Sequence, residues 1–212
     1  MVAAAKNTET GQTPVRERIM HAAMQAFIDL GYAEASTLEI ATRARVSKRE
    51  LYALFGSKQA ILAACIAERV QGMQIAPKLP RARSHEALAT VLRELGAGVL
   101  REVSDPVVVT VFRLAISEAH RAPEVAQTLE TGRQTVRGFV EGIVAQAQSD
   151  GLLGPGNPTH LSAQFLSLLW GDLMMSVLLR VRDAPGPIEA EGRARNAAAD
   201  FLRLNPVEAG RE

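Results

Sequence analysis

Ser36 is followed three residues later by Glu39, and Ser47 three residues later by Glu50. Each pair spells a capping box, in which the serine hydroxyl takes an orphan helix amide and the glutamate reaches back to the serine amide. The boxes open two short helices, expected over Thr37 to Ala44 and Lys48 to Leu54, with only Arg45-Val46-Ser47 between them. That is helix-turn-helix spacing. The second helix begins with Lys48 and Arg49, where side chains can enter a DNA major groove. Arg43, Arg45 and Lys58 extend the basic face, Tyr52 lies beside it, and only Glu50 opposes it in sign. Leu38, Ile40, Ala41 and Ala44 are the expected inner face of the first helix, and Leu51, Leu54 and Phe55 that of the second, with Val46 plugging the turn. A basic face can also be merely solvated. The tandem caps, the short turn and Tyr52 favour DNA.

The rest of the chain must hold that motif. A first helix is expected from Pro14 to Leu30, with Thr13 as cap, Pro14 at the first helical position and a stop at Gly31. Its apolar residues Ile19, Ala22, Ala23, Ala26, Phe27 and Leu30 recur at helical spacing. A fourth helix follows Gly56-Ser57 and runs to about Met73, long enough to connect to a second domain. The Pro-punctuated stretch from Ile75 to Pro80 marks the boundary. Beyond it, helices are expected over His85 to Val103, from Asp105-Pro106 to His120, from Pro123 to Asp150-Gly151, from Pro158 to about Arg182 with Asn157 as cap, and over Ile188 to Leu204.

Composition agrees with an all-α chain of this size. The 212 residues are 47% hydrophobic but only 4% aromatic, and the net charge is +1. Alanine and leucine dominate, which favours helices over sheets. The chain is no bulk polyelectrolyte; its useful charge asymmetry is the local cluster from Arg43 to Lys58. The single cysteine, Cys65, excludes an intrachain disulfide framework and fits a reducing cytoplasm. It falls on an apolar helix face, as a buried structural thiol would. Residues 1–13 are polar and small, with no apolar signal segment, and read as a mobile arm. The run from Leu161 to Leu179 comes nearest to a membrane span but is broken by polar residues. His21, His85, His120 and His160 stand far apart, with no cysteine or carboxylate at metal-ligand spacing. No phosphate-cradling glycine loop or nucleophile elbow is present, so no metal, cofactor or catalytic residue is assigned.

The segment from about residue 14 to 73 resembles the DNA-binding domain of TetR/AcrR-family transcriptional regulators. The resemblance runs through Ala26-Phe27, Gly31-Tyr32, Thr37, Ile40-Ala41, Ala44, Val46-Ser47-Lys48, Leu51-Tyr52, Phe55, Ser57-Lys58 and Leu62. It continues more weakly through Phe112 to His120 and Pro123-Glu124, which are similar to the effector domain of the AcrR-like branch. The chain departs from the family at Arg45, where a turn glycine is common, and at Arg49 and Glu50. The resemblance implies an N-terminal three-helix DNA-binding domain joined by a long helix to a helical effector-binding and dimerisation domain. Expected segments are an arm over 1–13, the DNA-binding domain over 14–74, the effector domain over 75–205 and a tail over 206–212. Thr37, Arg45, Ser47, Lys48, Arg49, Tyr52 and Lys58 become the expected DNA-binding residues, with Tyr52 and Lys58 on phosphates. Lys58 also opens a helix, where free amides suit a phosphate.

A homodimer has its own physical argument. Phe165, Leu168, Leu169, Met175, Val177 and Leu178 lie on more than one side of one expected helix, and a helix apolar all round must be covered on both faces. The last helix offers Ala194, Ala197, Ala198, Phe201 and Leu202 for close approach. Pairing the last two helices of each subunit would close a twofold dimer on a palindromic operator. Expected effector contacts are Phe112, Arg113, Ile116, Phe139, Phe165, Trp170 and Met174, with ordinary core packing as the alternative for each apolar residue. For Arg113, and for Asp172, a structural ion pair is the alternative. The expected function is a repressor released by a small, largely apolar effector of unknown identity. A helical protein-interaction module and an activator remain the competing readings.

Overall fold

The structure, a computed structural model, describes residues 9–72, 79–121 and 123–207. Ten helices appear there and no strand: α1 (Glu9–Leu30), α2 (Thr37–Ala44), α3 (Lys48–Phe55), α4 (Lys58–Gly72), α5 (His85–Ser104), α6 (Pro106–Glu118), α7 (Pro123–Ser149), α8 (Pro158–Trp170), α9 (Leu173–Leu178) and α10 (Pro187–Leu204). The fold is all-α, as composition and periodicity require. No helix among the described residues is long and apolar enough to cross a membrane.

The helices gather into two compact units. One draws on the described part of Met1–Gly72 together with Thr110–Leu129, the other on the described part of Met73–Val109 together with Glu130–Glu212. The division is discontinuous in sequence, because the end of α6 and the start of α7 join the first unit. The boundary expected at Ile75 to Pro80 falls mostly on residues 73–78, outside the described residues.

In the first unit, α1 packs on α2 and α4. Ile19, Phe27, Ile40, Leu51, Ile61, Leu62 and Ile66 are fully buried at its centre, with Val111, Leu114, Ala115 and Val125 in the same cluster. Phe27 and Tyr32 stack at a tilt, their rings 5.3 Å apart. Cys65 is buried, and its Sγ donates to the Met20 carbonyl at 3.4 Å. Burial pushes its thiol up to about 12. That is the inert structural thiol read from the sequence.

In the second unit, α10 packs along α5 and against α8. Gly96 makes that approach possible: a Cβ there would lie 3.1 Å from Leu169 Cδ1 and 3.2 Å from Ala194 Cβ. Phe165 and Phe201 meet edge to face at 5.5 Å.

Four expectations are corrected. α1 begins at Glu9, so residues 9–13, assigned to the arm, are helical, and Pro14 lies inside the helix. The Thr13-Pro14 pair marks a place that tolerates a missing amide, and the helix does not start there. The long helix expected from Pro158 to Arg182 is two helices. Gly171 takes φ +49° and ends α8, and α9 stops at Leu178. Leu38, placed on the inner face of α2, is 62% exposed. Finally, Ala194, Ala197, Ala198, Phe201, Leu202, Phe165, Leu169 and Val177, offered to a partner subunit, are consumed by the chain's own core. The apolar side chains left exposed nearby are Met175, Leu179, Val181, Ile188 and Leu204.

Candidate nucleic-acid interface and effector residues

The reading helix is set by its two ends. At α3 the capping box is complete: Ser47 Oγ accepts from the Glu50 amide at 3.1 Å, and the Ser47 amide donates to Glu50 Oε2 at 2.8 Å. Those bonds hold the Glu50 carboxyl below the usual carboxylate range. At the other end Gly56, with φ +73°, donates its amide to the Tyr52 carbonyl at 2.9 Å. Leu51 is the anchor, fully buried. Lys48 and Arg49 stand exposed at its first turn.

α2 starts differently. Ser36 Oγ accepts from the Glu39 amide at 3.1 Å, but the expected return bond is missing. Glu39 Oε1 instead takes Arg43 Nε at 2.7 Å, and Arg43 Nη1 reaches Asp29 Oδ2 of α1 at 2.6 Å. The Arg43 charge is therefore spent tying α2 to α1. The turn follows with Arg45 in the left-handed region, φ 55° and ψ 48°. Val46 packs partly buried against the core.

Thr37 and Tyr52 come together, Thr37 Oγ1 lying 3.2 Å from the Tyr52 hydroxyl. Lys48 Nζ sits 5.8 Å from the Tyr52 ring centre. Two hydroxyls and an ammonium thus share one exposed edge, suited to phosphate oxygens. Lys58 is placed otherwise. Its Nζ donates to the Tyr32 carbonyl at 2.7 Å and lies 4.2 Å from the Tyr32 ring centre. Burial lowers its pKa, against the raising influence of Glu118 and Glu34. Nothing local in the sequence marks this turn toward Tyr32, which lies in the loop after α1.

The seven expected effector residues divide between the units. Phe112, Arg113 and Ile116 belong to the first, and Phe139, Phe165, Trp170 and Met174 to the second. Phe112 and Arg113 are half-buried, and Ile116 is exposed. Phe165 is fully buried against Phe201, so packing is its visible role. Trp170 packs half-buried on the same core, and Met174 is half-buried. Phe139 lines a cleft with Leu79, Ala82, Leu88, Val91 and Ile143. Its volume is about 380 Å³, and the Arg81–Asp150 ion pair stands at its polar side.

Comparison with known proteins agrees with this architecture. Residues 19–65 match the family model for bacterial regulatory proteins of the tetR family, and residues 90–204 match that for the C-terminal domain of AefR-like transcriptional repressors. The HTH-type transcriptional regulator UidR of Escherichia coli strain K12 is 28% identical over 192 residues, covering 91% of this chain and 90% of that protein. A TetR transcriptional regulator from Agrobacterium tumefaciens superposes with a TM-score of 0.81 at 26% identity, over 92% of this chain and 96% of that one. The flavonoid-responsive regulator FrrA superposes with a TM-score of 0.74 at 26% identity, over 92% and 98%. With a family model covering more than half its length, and the helix-turn-helix formed as that family requires, the chain belongs to the TetR family of transcriptional regulators.

Proposed function

We propose that this regulator is a repressor which grips a palindromic operator as a homodimer and lets go when a small, largely apolar effector binds. The observation that carries the DNA reading is α3 itself, capped at both ends, anchored by Leu51, and presenting Lys48 and Arg49 outward. Lys48 and Arg49 read base edges, Arg49 by a bidentate grip on guanine. Thr37, Ser47, Tyr52 and Lys58 hold the backbone and set register. Lys58 would exchange its carbonyl partners for phosphate.

The dimer is supported by the apolar side chains left uncovered near the last helices, Met175, Leu179, Val181 and Ile188. A twofold pair places equivalent α3 helices about one turn of DNA apart. The effector reading draws on the match to an AefR-like repressor domain and on the flavonoid response named for FrrA. The cleft at Phe139 has a volume within the roughly 300–1,000 Å³ of small-molecule sites. Phe112, Arg113, Ile116, Trp170 and Met174 remain candidate contacts. Such a function places the protein with the DNA, in the cytoplasm.

Selection from a pool of random duplexes tests the core of this reading. Wild type should enrich an inverted repeat, and Arg49→Ala should lose roughly 1–3 kcal/mol on it and relax preference at one base pair per half-site. Identical motifs from both proteins would remove Arg49 from the reading surface. Trp170, the single tryptophan, then reports effector titrations. An inducer must bind more weakly to the operator complex, by the factor with which it weakens operator binding.

A further inference from the structure

Glycine inside a helix weakens it relative to alanine, so each one asks for a reason. Gly96 has its reason in the packing of α5 on α10, where a Cβ would crowd Leu169 and Ala194. Gly138 and Gly142 stand one turn apart in the middle of α7, and a Cβ at either would meet nothing within 4 Å among the described residues. Gly192 of α10 shares that freedom, so open space alone decides nothing. What sets the α7 pair apart is the cleft that both line together with Phe139. It opens on the outer side of α7: Gly138, Phe139, Gly142 and Gln146 are exposed, whereas Val140 and Val144 are buried in the core. Leu88 and Val91, buried on α5, line it as well.

Size, shape and charge limit the occupant. The cleft holds about 380 Å³, which is small-molecule scale and less than one turn of a helix about 10–12 Å across would fill. Two glycines one turn apart leave a strip of bare helix backbone against which an aromatic ring can lie closely. The exposed Phe139 ring stands beside that strip as an aromatic neighbour. At the polar side Arg81 forks onto Asp150, Nε donating to Oδ2 at 2.9 Å and Nη2 to Oδ1. Hydrogen bonds from Arg81, and then from Gln146, hold that carboxyl below the usual carboxylate range. The two charges cancel, so an anionic ligand would have to displace Asp150, and a cationic one Arg81. The fork uses two of the five guanidinium N–H groups, and the remaining donors suit a neutral oxygen. Gly142 and Asp150 are eight residues apart in the sequence, about 12 Å along a helix, the reach of two linked rings with an oxygen at one end.

We infer that this cleft binds an uncharged two-ring aromatic molecule, its rings on the Gly138–Gly142 strip beside Phe139 and a hydroxyl or carbonyl oxygen at Arg81. The inference rests on the effector reading above and narrows the effector from apolar compounds to this class.

The test is a calorimetric titration of the full-length protein at neutral pH with para-phenylphenol, para-phenylbenzoate and decanol, with operator affinity measured in parallel. Para-phenylphenol should bind about tenfold or more tightly than the carboxylate, which must bring an uncompensated charge to an apolar cleft, and than the flexible alcohol. Gly138→Ala and Gly142→Ala should each weaken it about fivefold or more by filling the strip. Their Tm should stay or rise, because alanine favours the helix and its Cβ meets no neighbour. Asp150→Asn should reverse the preference, since Arg81 then offers its fork to the ligand's carboxylate. No binding of para-phenylphenol by wild type overturns the inference, as do alanine variants that bind it like wild type. A wild-type preference for para-phenylbenzoate overturns the uncharged class. If Gly142→Ala changes the oligomeric state in light scattering, the strip is a contact between chains and the ligand falls. Glycine-dependent binding that leaves operator affinity unchanged supports the ligand class and removes only the repressor's release through this cleft. An inducer that works equally on wild type and both alanine variants keeps the repressor reading and overturns the cleft as its site.

Discussion

α3 buries a single side chain completely, Leu51, and is fixed by a capping box before it and Gly56 after it. α10 buries Ala190, Ala194, Ala197, Ala198, Phe201 and Leu202, and its N-cap, Gly186, makes no side-chain bond at all. One helix is held by its termini, the other by its face. The difference suits their tasks. A helix that must leave most of its surface to DNA has little apolar area to bury, so its orphan amides and carbonyls decide where it begins and ends. A helix inside a core gains stability from area and needs no cap.

The comparison is broken most severely by emptying the core face. Phe201→Ala should cost about 3–5 kcal/mol in denaturant unfolding, because the ring is fully buried and edge-on to Phe165. The Phe165→Ala, Phe201→Ala double variant should lose less than the sum of the singles, since the two rings share one contact. A Phe165→Ala protein of wild-type stability would return Phe165 to the effector site as an unpacked lining residue.

A second effect separates the units by pH. The first unit buries groups that must stay neutral: Cys65, pushed up from 9.0 to about 12, and Tyr32, pushed up from 10.0 to about 12. Burial leads in both, and Glu118 and Glu124 add to it at Tyr32. In the second unit the shifted groups are carboxylates and an arginine in exposed ion pairs, such as Asp150 with Arg81 and Glu189 with Arg182. Below pH 9 the thiol is protonated in both folded and unfolded chains, and its contribution is fully present. Between pH 9 and 12 only the unfolded chain ionises, so stability falls as pH rises. For Cys65 the loss is at most about 1.4 kcal/mol per pH unit. Unfolding free energies measured through that window should fall more gently for Cys65→Ala than for wild type. Equal slopes would show that the thiol is solvated when folded.

Legibility in the sequence followed the same division. The helix-turn-helix was readable because its signals are local: serine and glutamate three residues apart, a short turn, and a glycine stop. The α8–α9 break was hidden because the apolar run around Gly171 and Asp172 looks continuous to any periodicity argument. The inward turn of Lys58 depends on the carbonyls of Tyr32 and Ala33, far away in sequence. The effector residues were least legible. An aromatic on an apolar helix face reads alike whether it packs a core, as Phe165 does, or lines a cleft, as Phe139 does.

The smallest effect sharpens the comparison within the helix-turn-helix itself. Ser36 and Ser47 stand in the same sequence pattern, yet only Ser47 has its glutamate returning the bond. At α2 the carboxylate has a better partner. Arg43 offers a charged donor one turn along the helix, and Asp29 fixes Arg43 in place. A charge-assisted bond outcompetes a neutral amide for the same oxygen. Replacing a serine cap by alanine costs about 0.5–2 kcal/mol in general. Ser47→Ala should fall in the upper half of that range, because the amide at position 50 loses its acceptor and the reciprocal box that alone fixes the start of α3 is left with one bond. Ser36→Ala should fall in the lower half, since Glu39 stays bound to Arg43 and α2 stays tied to α1. A pair of thermal melts decides the order. If Ser36→Ala is the more damaging, the Arg43 network does not hold α2, and the end-fixed account of the reading head applies to α3 alone. If Arg43→Ala then makes Ser36→Ala as costly as Ser47→Ala, the freed Glu39 has gone back to close the box that the sequence spelled.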